Sequence, residues 1–251
     1  MSRHGRIAAE FTTAWRAFLR RRTAVFFTFF FPVIIVLIFG VLVQTQPTGG
    51  GLFAEPPGYY VPGYLAVVVL FTPLSRVGST VARHREGNRF QKLATTPLSR
   101  AEWLLAQTLV NVVVIGLAAL LLLVLVVALT NATIPLSPAT LALVPFVTFG
   151  VALFCGLGAI SGRLAGSQDG VIAASNAVAL PLLFLSETFV TASLLPAWFR
   201  PVTALSPLTY FARGVRRLTF SGGDWVFPLV VLVVLAVTVL ALGARAVPWT
   251  E

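Results

Sequence analysis

Lysine is almost missing from this chain: Lys92 is the single one, and arginine supplies the rest of the 18 basic residues. A P-loop ends in Gly-Lys-Ser/Thr, yet Lys92 stands between Gln91 and Leu93. The chain therefore carries no Walker-type ATPase site, and if ATP drives it, another polypeptide hydrolyses the nucleotide. One cysteine, Cys155, excludes an internal disulfide. Two histidines, His4 and His84, both sit in polar segments. No HExxH motif, intramembrane pair of aspartates or Cys-His partnership is present. An intramembrane enzyme would need one of these, so no catalytic residue, resident cofactor or metal site is expected. Charged residues make up only 10% of the sequence, against roughly one quarter in a soluble domain.

Apolar residues fill that gap. They form 57% of the chain, and the mean hydropathy is +0.92, which marks an integral membrane protein. The net charge of +10 does not point to nucleic acid, because the arginines flank apolar runs and form no basic stripe interleaved with aromatics. Anionic lipid and the positive-inside bias account for them. With roughly 20 apolar residues needed per transmembrane helix, six spans are expected at about 24–43, 60–81, 103–129, 139–162, 169–190 and 225–247. The whole chain, 1–251, reads as one all-α transmembrane domain. The second span loses its apolar character near Leu74, and Pro73 and Arg76 point to a helix continuing out of the lipid. Residues 44–60, rich in Gly and Pro, read as a loop.

The run Thr23 to Val43 is too long for a signal-peptide core and is followed by no small-residue cleavage site. Ahead of it, Ile7, Phe11, Trp15 and Phe18 recur at helical spacing, with Arg6, Glu10, Thr13, Arg16 and Arg20 elsewhere. Residues 1–22 are thus expected to form an amphipathic helix in the membrane interface, the alternative being an extension of the first span. Basic residues crowd this N-terminal segment and residues 83–100, whereas 44–60 has none. That bias places both segments, and with six spans both termini, on the cytoplasmic side.

Residues 83–97, Arg-His-Arg-Glu-Gly-Asn-Arg-Phe-Gln-Lys-Leu-Ala-Thr-Thr-Pro, form a polar island between long apolar runs. The pattern predicts a short amphipathic helix with Phe90, Leu93 and Ala94 on one side and Glu86 paired with Arg83 or Arg89. Pro97 disfavours helix at Thr96. Ser99 and Glu102 then form a capping box that opens the third span. The island is a helix-break-helix elbow on this reading, and a solvated loop that merely holds charge on the alternative one.

Residues 191–217 break the charge rule, since Arg200, Arg213, Arg216 and Arg217 fall on the outer side. Pro196, Pro201 and Pro207 interrupt any span there, and a re-entrant hairpin that dips Leu194-Leu195 and Trp198-Phe199 into the outer leaflet is expected. Glu187 is an acidic residue near a span's outer end, expected either to pair with Arg200 or to attract a cationic substrate. Gly158, Gly162 and Gly166 share a helix stripe suited to close packing. Asp169 beside Ser167 fits a helix start.

Two stretches carry a family resemblance. Arg85-Glu86-Gly87 followed by Leu93-Ala94-Thr95-Thr96-Pro97-Leu98-Ser99-Arg100-Ala101-Glu102-Trp103 resembles the signature of ABC-2-type permeases. The second is Leu195-Pro196-Ala197-Trp198-Phe199-Arg200, followed by Leu205-Ser206-Pro207-Leu208-Thr209-Tyr210 and Arg213. It is similar to that family's LP-x-W … PLTY … R stretch between its last two spans. With the amphipathic helix, the six spans, the elbow and the outer hairpin, the resemblance covers essentially the whole chain, and the likeness is to the drug-resistance type. Asn88 departs from the pattern, where many members have Thr. The resemblance implies a permease subunit of an ATP-driven exporter in a prokaryotic plasma membrane. It implies a homodimer or a heterodimer with a second permease, and a separate ABC-type subunit that binds ATP and Mg. Residues Arg85, Glu86, Gly87, Arg89, Phe90, Leu93 and Pro97 would receive that subunit's stroke. Glu187, Pro207, Tyr210 and Arg213 would lie at an outer gate or along the path of a small-molecule, hydrophobic or amphipathic substrate. A secondary transporter or channel is the other function class; it would need intramembrane ionisable relays or repeated broken helices.

Overall fold

A computed structural model of the protein describes residues 2–42, 55–130, 132–135, 137–189 and 195–249. Among these residues every regular element is helical. Helix α1 runs Arg3–Leu19, α2 Arg22–Ile35, α3 Val61–Glu86, α4 Arg89–Ala94, α5 Arg100–Leu129 and α6 Leu143–Leu164. Then come α7 Gln168–Phe184, α8 Arg200–Thr203, α9 Pro207–Arg216 and α10 Val226–Ala246. The helix of α2 continues as a π-helical segment, Val36–Leu42, and 3-10 turns at Pro57–Tyr60 and Pro138–Ala142 lead into α3 and α6. Five of these helical stretches are long and apolar enough to cross a membrane: Arg22–Leu42, Pro57–Glu86, Arg100–Leu129, Pro138–Leu164 and Val226–Ala246.

α3 is the axis of the bundle. It packs on α5, α6, α7 and α9, and Tyr64, Leu65, Leu70, Leu74, Val77 and Val81 are sealed inside. The outer helices keep apolar faces turned away from the protein: Phe26, Phe27, Phe30 and Phe31 on α2, Leu117, Leu120 and Val124 on α5, Val230, Val234 and Val237 on α10. In water such a surface would be an aggregation site; in a bilayer it is the solvated one.

Without a hydrophobic drive between helices in lipid, association depends on close packing of small residues. α6 meets both of its main neighbours in this way. A methyl on Gly158 would lie 2.5 Å from the carbonyl oxygen of Leu74, and one on Gly162 would clash with the Gly78 carbonyl and the Val81 side chain. On another face, a methyl on Gly156 would stand 2.7 Å from the Val239 carbonyl, and one on Gly243 2.7 Å from that of Gly156. The expected glycine stripe is therefore an intramolecular seam, with one correction. Gly166 lies beyond the end of α6 and has nothing within 4 Å.

Other expectations change as well. The span expected at 169–190 ends at Phe184. Its 17 residues rise about 26 Å, short of a hydrocarbon core of roughly 30 Å. The reason is local. The hydroxyls of Ser186 and Thr188 both donate to the Leu183 carbonyl, at 2.9 and 2.5 Å, and turn the chain back on itself. α1 also differs from a simple apolar-face helix. Phe18 and Ala14 are buried and Phe11 and Trp15 rest on the core, but Arg6 and Glu10 face α5 rather than solvent. Of the loop expected over 44–60, residues 44–54 lie outside the described residues, as does Leu194 of the hairpin, and Pro57–Tyr60 form a 3-10 turn rather than loop.

The seam is testable. Gly162→Val should destabilise the protein by about 1–3 kcal/mol through overpacking and lower its melting temperature in detergent. Gly166→Ala should leave that temperature unchanged.

Candidate functional site

The polar island is a hinge of two pieces rather than one helix. α3 carries it as far as Glu86, Gly87 caps that helix, and Asn88 adopts φ 52° and ψ 27°, the left-handed region. Asparagine is among the few L-residues that visit this region without large strain, and a β-branched residue there is an outlier. Asn88 thus acquires a conformational reason that the motif alone did not supply. The expected pair between Glu86 and Arg83 or Arg89 does not form. The turn breaks the helical register between Glu86 and Arg89, and both side chains are exposed. α4 stops at Ala94, where the hydroxyls of Thr95 and Thr96 donate back to the carbonyls of Lys92 and Leu93 at 2.8 and 2.6 Å. After Pro97, the capping box opens α5. Ser99 Oγ accepts from the Glu102 amide at 3.2 Å, and Glu102 Oε2 accepts from the Ser99 amide at 2.9 Å.

Three contacts fasten this elbow to the bundle. Arg85 donates Nη1 to the Arg163 carbonyl at 2.6 Å and Nη2 to the Ala165 carbonyl at 2.5 Å. Carbonyls at a helix C-terminus lack intrahelical partners and carry partial negative charge, so a guanidinium is well suited to them. Arg163 in turn donates Nη1 to the Ala246 carbonyl at the end of α10, at 3.4 Å. Phe90 is the second fastening. Only 3% exposed, it packs edge-on against Trp103 of α5 at 5.1 Å between centroids, and also against His84 at 5.3 Å and Trp249 at 5.8 Å. The third is Glu102. It receives Arg6 of α1 at 3.1 Å through Nε and 2.5 Å through Nη2, while still serving as the capping residue of α5. Arg6 and Glu102 are 96 residues apart, and no local pattern in the sequence pairs them.

The seven residues proposed for coupling consequently divide. Arg85 and Phe90 point into the bundle, Leu93 is half-buried, and Glu86, Gly87, Arg89 and Pro97 are exposed. Lys92 is exposed beside them. The elbow offers a polar outer face on an internally anchored base.

At the opposite end of α3, Glu187 does not meet Arg200, whose Nε points to the Leu195 carbonyl at 3.4 Å. Its partner is Arg213 of α9, held by two bonds of 2.5 and 2.7 Å. The turn after α7 swings Glu187 inward, which removes it from reach of Arg200. The hydrogen bonds and charge of Glu187 raise the pKa of Arg213 above its ordinary value. Arg216, 8% exposed, donates to the carbonyls of Glu187 and Thr188 at 2.6 and 3.2 Å. Its guanidinium carbon lies 4.0 Å from the centre of the Tyr59 ring. Arg217 bonds to the Asp224 carbonyl. None of these three arginines is a simple solvated charge. Pro207 opens α9 and, like Tyr210, is half-buried. The cluster joins the start of α3, the turn after α7, and α9.

The Phe90 anchor sets up a direct comparison. Phe90→Ala should cost about 3–5 kcal/mol, the range for truncating a buried aromatic residue. Arg89→Ala, on the exposed face next to it, should change stability by less than about 0.5 kcal/mol. Thermal unfolding of the purified chain distinguishes the two.

The sequence matches known proteins over most of its length. The family model for the ABC-2 type transporter matches residues 7–220. A protein of Porphyra purpurea, ycf38, whose name proposes a transport permease, is 28% identical over 210 residues, covering 78% of this chain and 67% of that protein. A multi-pass bundle of apolar helices with this family match over most of its length is a membrane transport permease, and the chain belongs to the ABC-2 type transporter family.

Proposed function

We propose that the chain is the membrane-spanning permease subunit of an ATP-driven exporter, with ATP and Mg bound by a separate ABC-type subunit. The observation that carries this reading is the construction of the elbow. The elbow presents Glu86 at the end of α3 and Arg89 and Lys92 of α4 outward, while Arg85 and Phe90 tie the same segment to α6, α5 and the residues after α10. A segment that only held charge near a membrane would not need anchoring at three places. A push on its outer face is transmitted to α3, the axis of the bundle, and through Arg85 to α6. The chain itself performs no catalysis on this reading.

α7 completes six spans if the turn Leu185–Phe189 reaches the outer interface, which puts both termini in the cytoplasm and the Glu187–Arg213 cluster outside. There the cluster latches α9 to the start of α3 and acts as an outer gate, with Pro207 and Tyr210 beside the path. Trp198 and Leu205, highly exposed on the segment between α7 and α9, fit a re-entrant hairpin resting in outer-leaflet lipid. The working unit is a dimer with a second permease, identical or not, in a prokaryotic plasma membrane. The cargo is a hydrophobic or amphipathic small molecule entering from the bilayer.

Co-expression with the partner ATPase tests the elbow. Glu86→Arg and Gly87→Leu should leave the complex assembled but reduce transport-coupled ATP hydrolysis by about tenfold, within the usual range of coupling free energies. Undiminished coupling in an intact complex would contradict the role.

A further inference from the structure

A cavity of about 480 Å³ opens between α1, the start of α2, α3 and α4. Its charge is one-sided. Arg76 and Arg83 of α3 lie at its base, and Arg21, Arg89 and Lys92 stand around its mouth. Glu10 is the one carboxylate in the lining, and its Oε1 is occupied by the Gln107 amide at 3.1 Å. Among the described residues no carboxylate oxygen lies within 4.0 Å of any of the five cations. Arg83 reaches only the Thr80 hydroxyl, at 3.4 Å. Arg76 is in a more demanding position. Its guanidinium carbon sits 4.2 Å from the centre of the Phe18 ring, and its Nη1 is sealed from solvent with no hydrogen-bond partner.

Elsewhere in this molecule the equivalent cost has been met. Arg6 and Arg213 have carboxylates, and Arg85 and Arg216 have backbone carbonyls. A sealed guanidinium nitrogen left without an acceptor is destabilising, so the site suits an anion from outside the chain. Planar arginine forks supplemented by a lysine suit a phosphate group, whose oxygens accept several donors at once. Thr13 and His84 also line the cavity, and one wall is apolar, with Ala14, Ala17, Phe18 and Ala24. Past Ala24 it leads to the face of α2 that exposes Phe27 and Phe31.

We propose that this cavity binds the phosphate group of an anionic amphiphile, with the headgroup between Arg76 and Arg83 and the acyl portion lying along α2. The bound group joins α1, α3 and α4 across this positive field. It supplies a counter-charge in direct contact with cations that no carboxylate oxygen among the described residues reaches. The inference is separate from the export reading, because binding requires neither the ATPase nor turnover.

The test is a titration of the purified full chain in neutral detergent with short-chain phosphatidylglycerol, short-chain phosphatidylcholine or inorganic phosphate, followed by native mass spectrometry. Phosphatidylglycerol should bind saturably at one site, and phosphatidylcholine should not. Arg76→Gln and Arg83→Gln should each weaken binding by about tenfold or more, as expected for the loss of one charge-assisted contact. Arg89→Gln combined with Lys92→Gln, both on the exposed rim, covers the case in which the buried variants fail to fold, and should also weaken it. Arg200→Gln, in the segment between α7 and α9, should not. Inorganic phosphate binding as tightly as the lipid would keep the phosphate site but assign it to the free ion. Equal binding of phosphatidylcholine and phosphatidylglycerol, or wild-type affinity in every folded cavity variant, would overturn the proposal.

Discussion

A helix that ends near a membrane surface leaves carbonyl groups without partners, and the way these are satisfied organises one whole end of this protein. Arg85 leaves the last turn of α3 and donates to two carbonyls at the end of α6. Arg163, in the last turn of α6, then donates to the end of α10. Each guanidinium meets the negative end of a neighbouring helix, where both the hydrogen bonds and the dipole favour it. The polar island is thereby attached to the bundle by polar bonds, and Phe90 adds the apolar anchor.

The same three helices meet at glycine seams, and the two devices depend on each other. Gly158 and Gly162 let α6 lie against α3 with backbone touching backbone, and Gly156 and Gly243 do the same for α6 and α10. Such contacts hold only while the helices keep their register. The arginine caps at the helix ends fix that register at one end. The Glu187–Arg213 and Arg216 contacts tie the other end of α3 to α9. α3 is therefore constrained at both ends and packed on most of its length.

Much of this was legible in the sequence, and what was not has physical causes. Apolar runs gave the long helices because lipid thickness sets their length, and the Ser99–Glu102 box gave the start of α5 because capping is local. The Thr-Pro stop after α4 was readable for the same reason. Helix α7 was overestimated because its apolar run continues past Phe184, while the turn is made by two hydroxyls bonding one carbonyl. Side-chain partners were the least accessible. Arg6 with Glu102 and Glu187 with Arg213 are far apart in sequence, and charge alone favoured Arg200 equally well. Asn88 was visible only as a departure from a motif until its backbone angles gave it a purpose.

The proposed coupling role requires the elbow to present its outer face to a partner while Phe90 and Arg85 are locked into the bundle. Cys155 is buried, so single cysteines at Glu86, Arg89 or Phe90 can be cross-linked to the partner ATPase in membranes without interference. Cross-links from Glu86 and Arg89, none from Phe90, and a yield that changes between the ATP-bound and nucleotide-free states are the predicted result. Efficient assembly with no cross-link from either exposed position would contradict it.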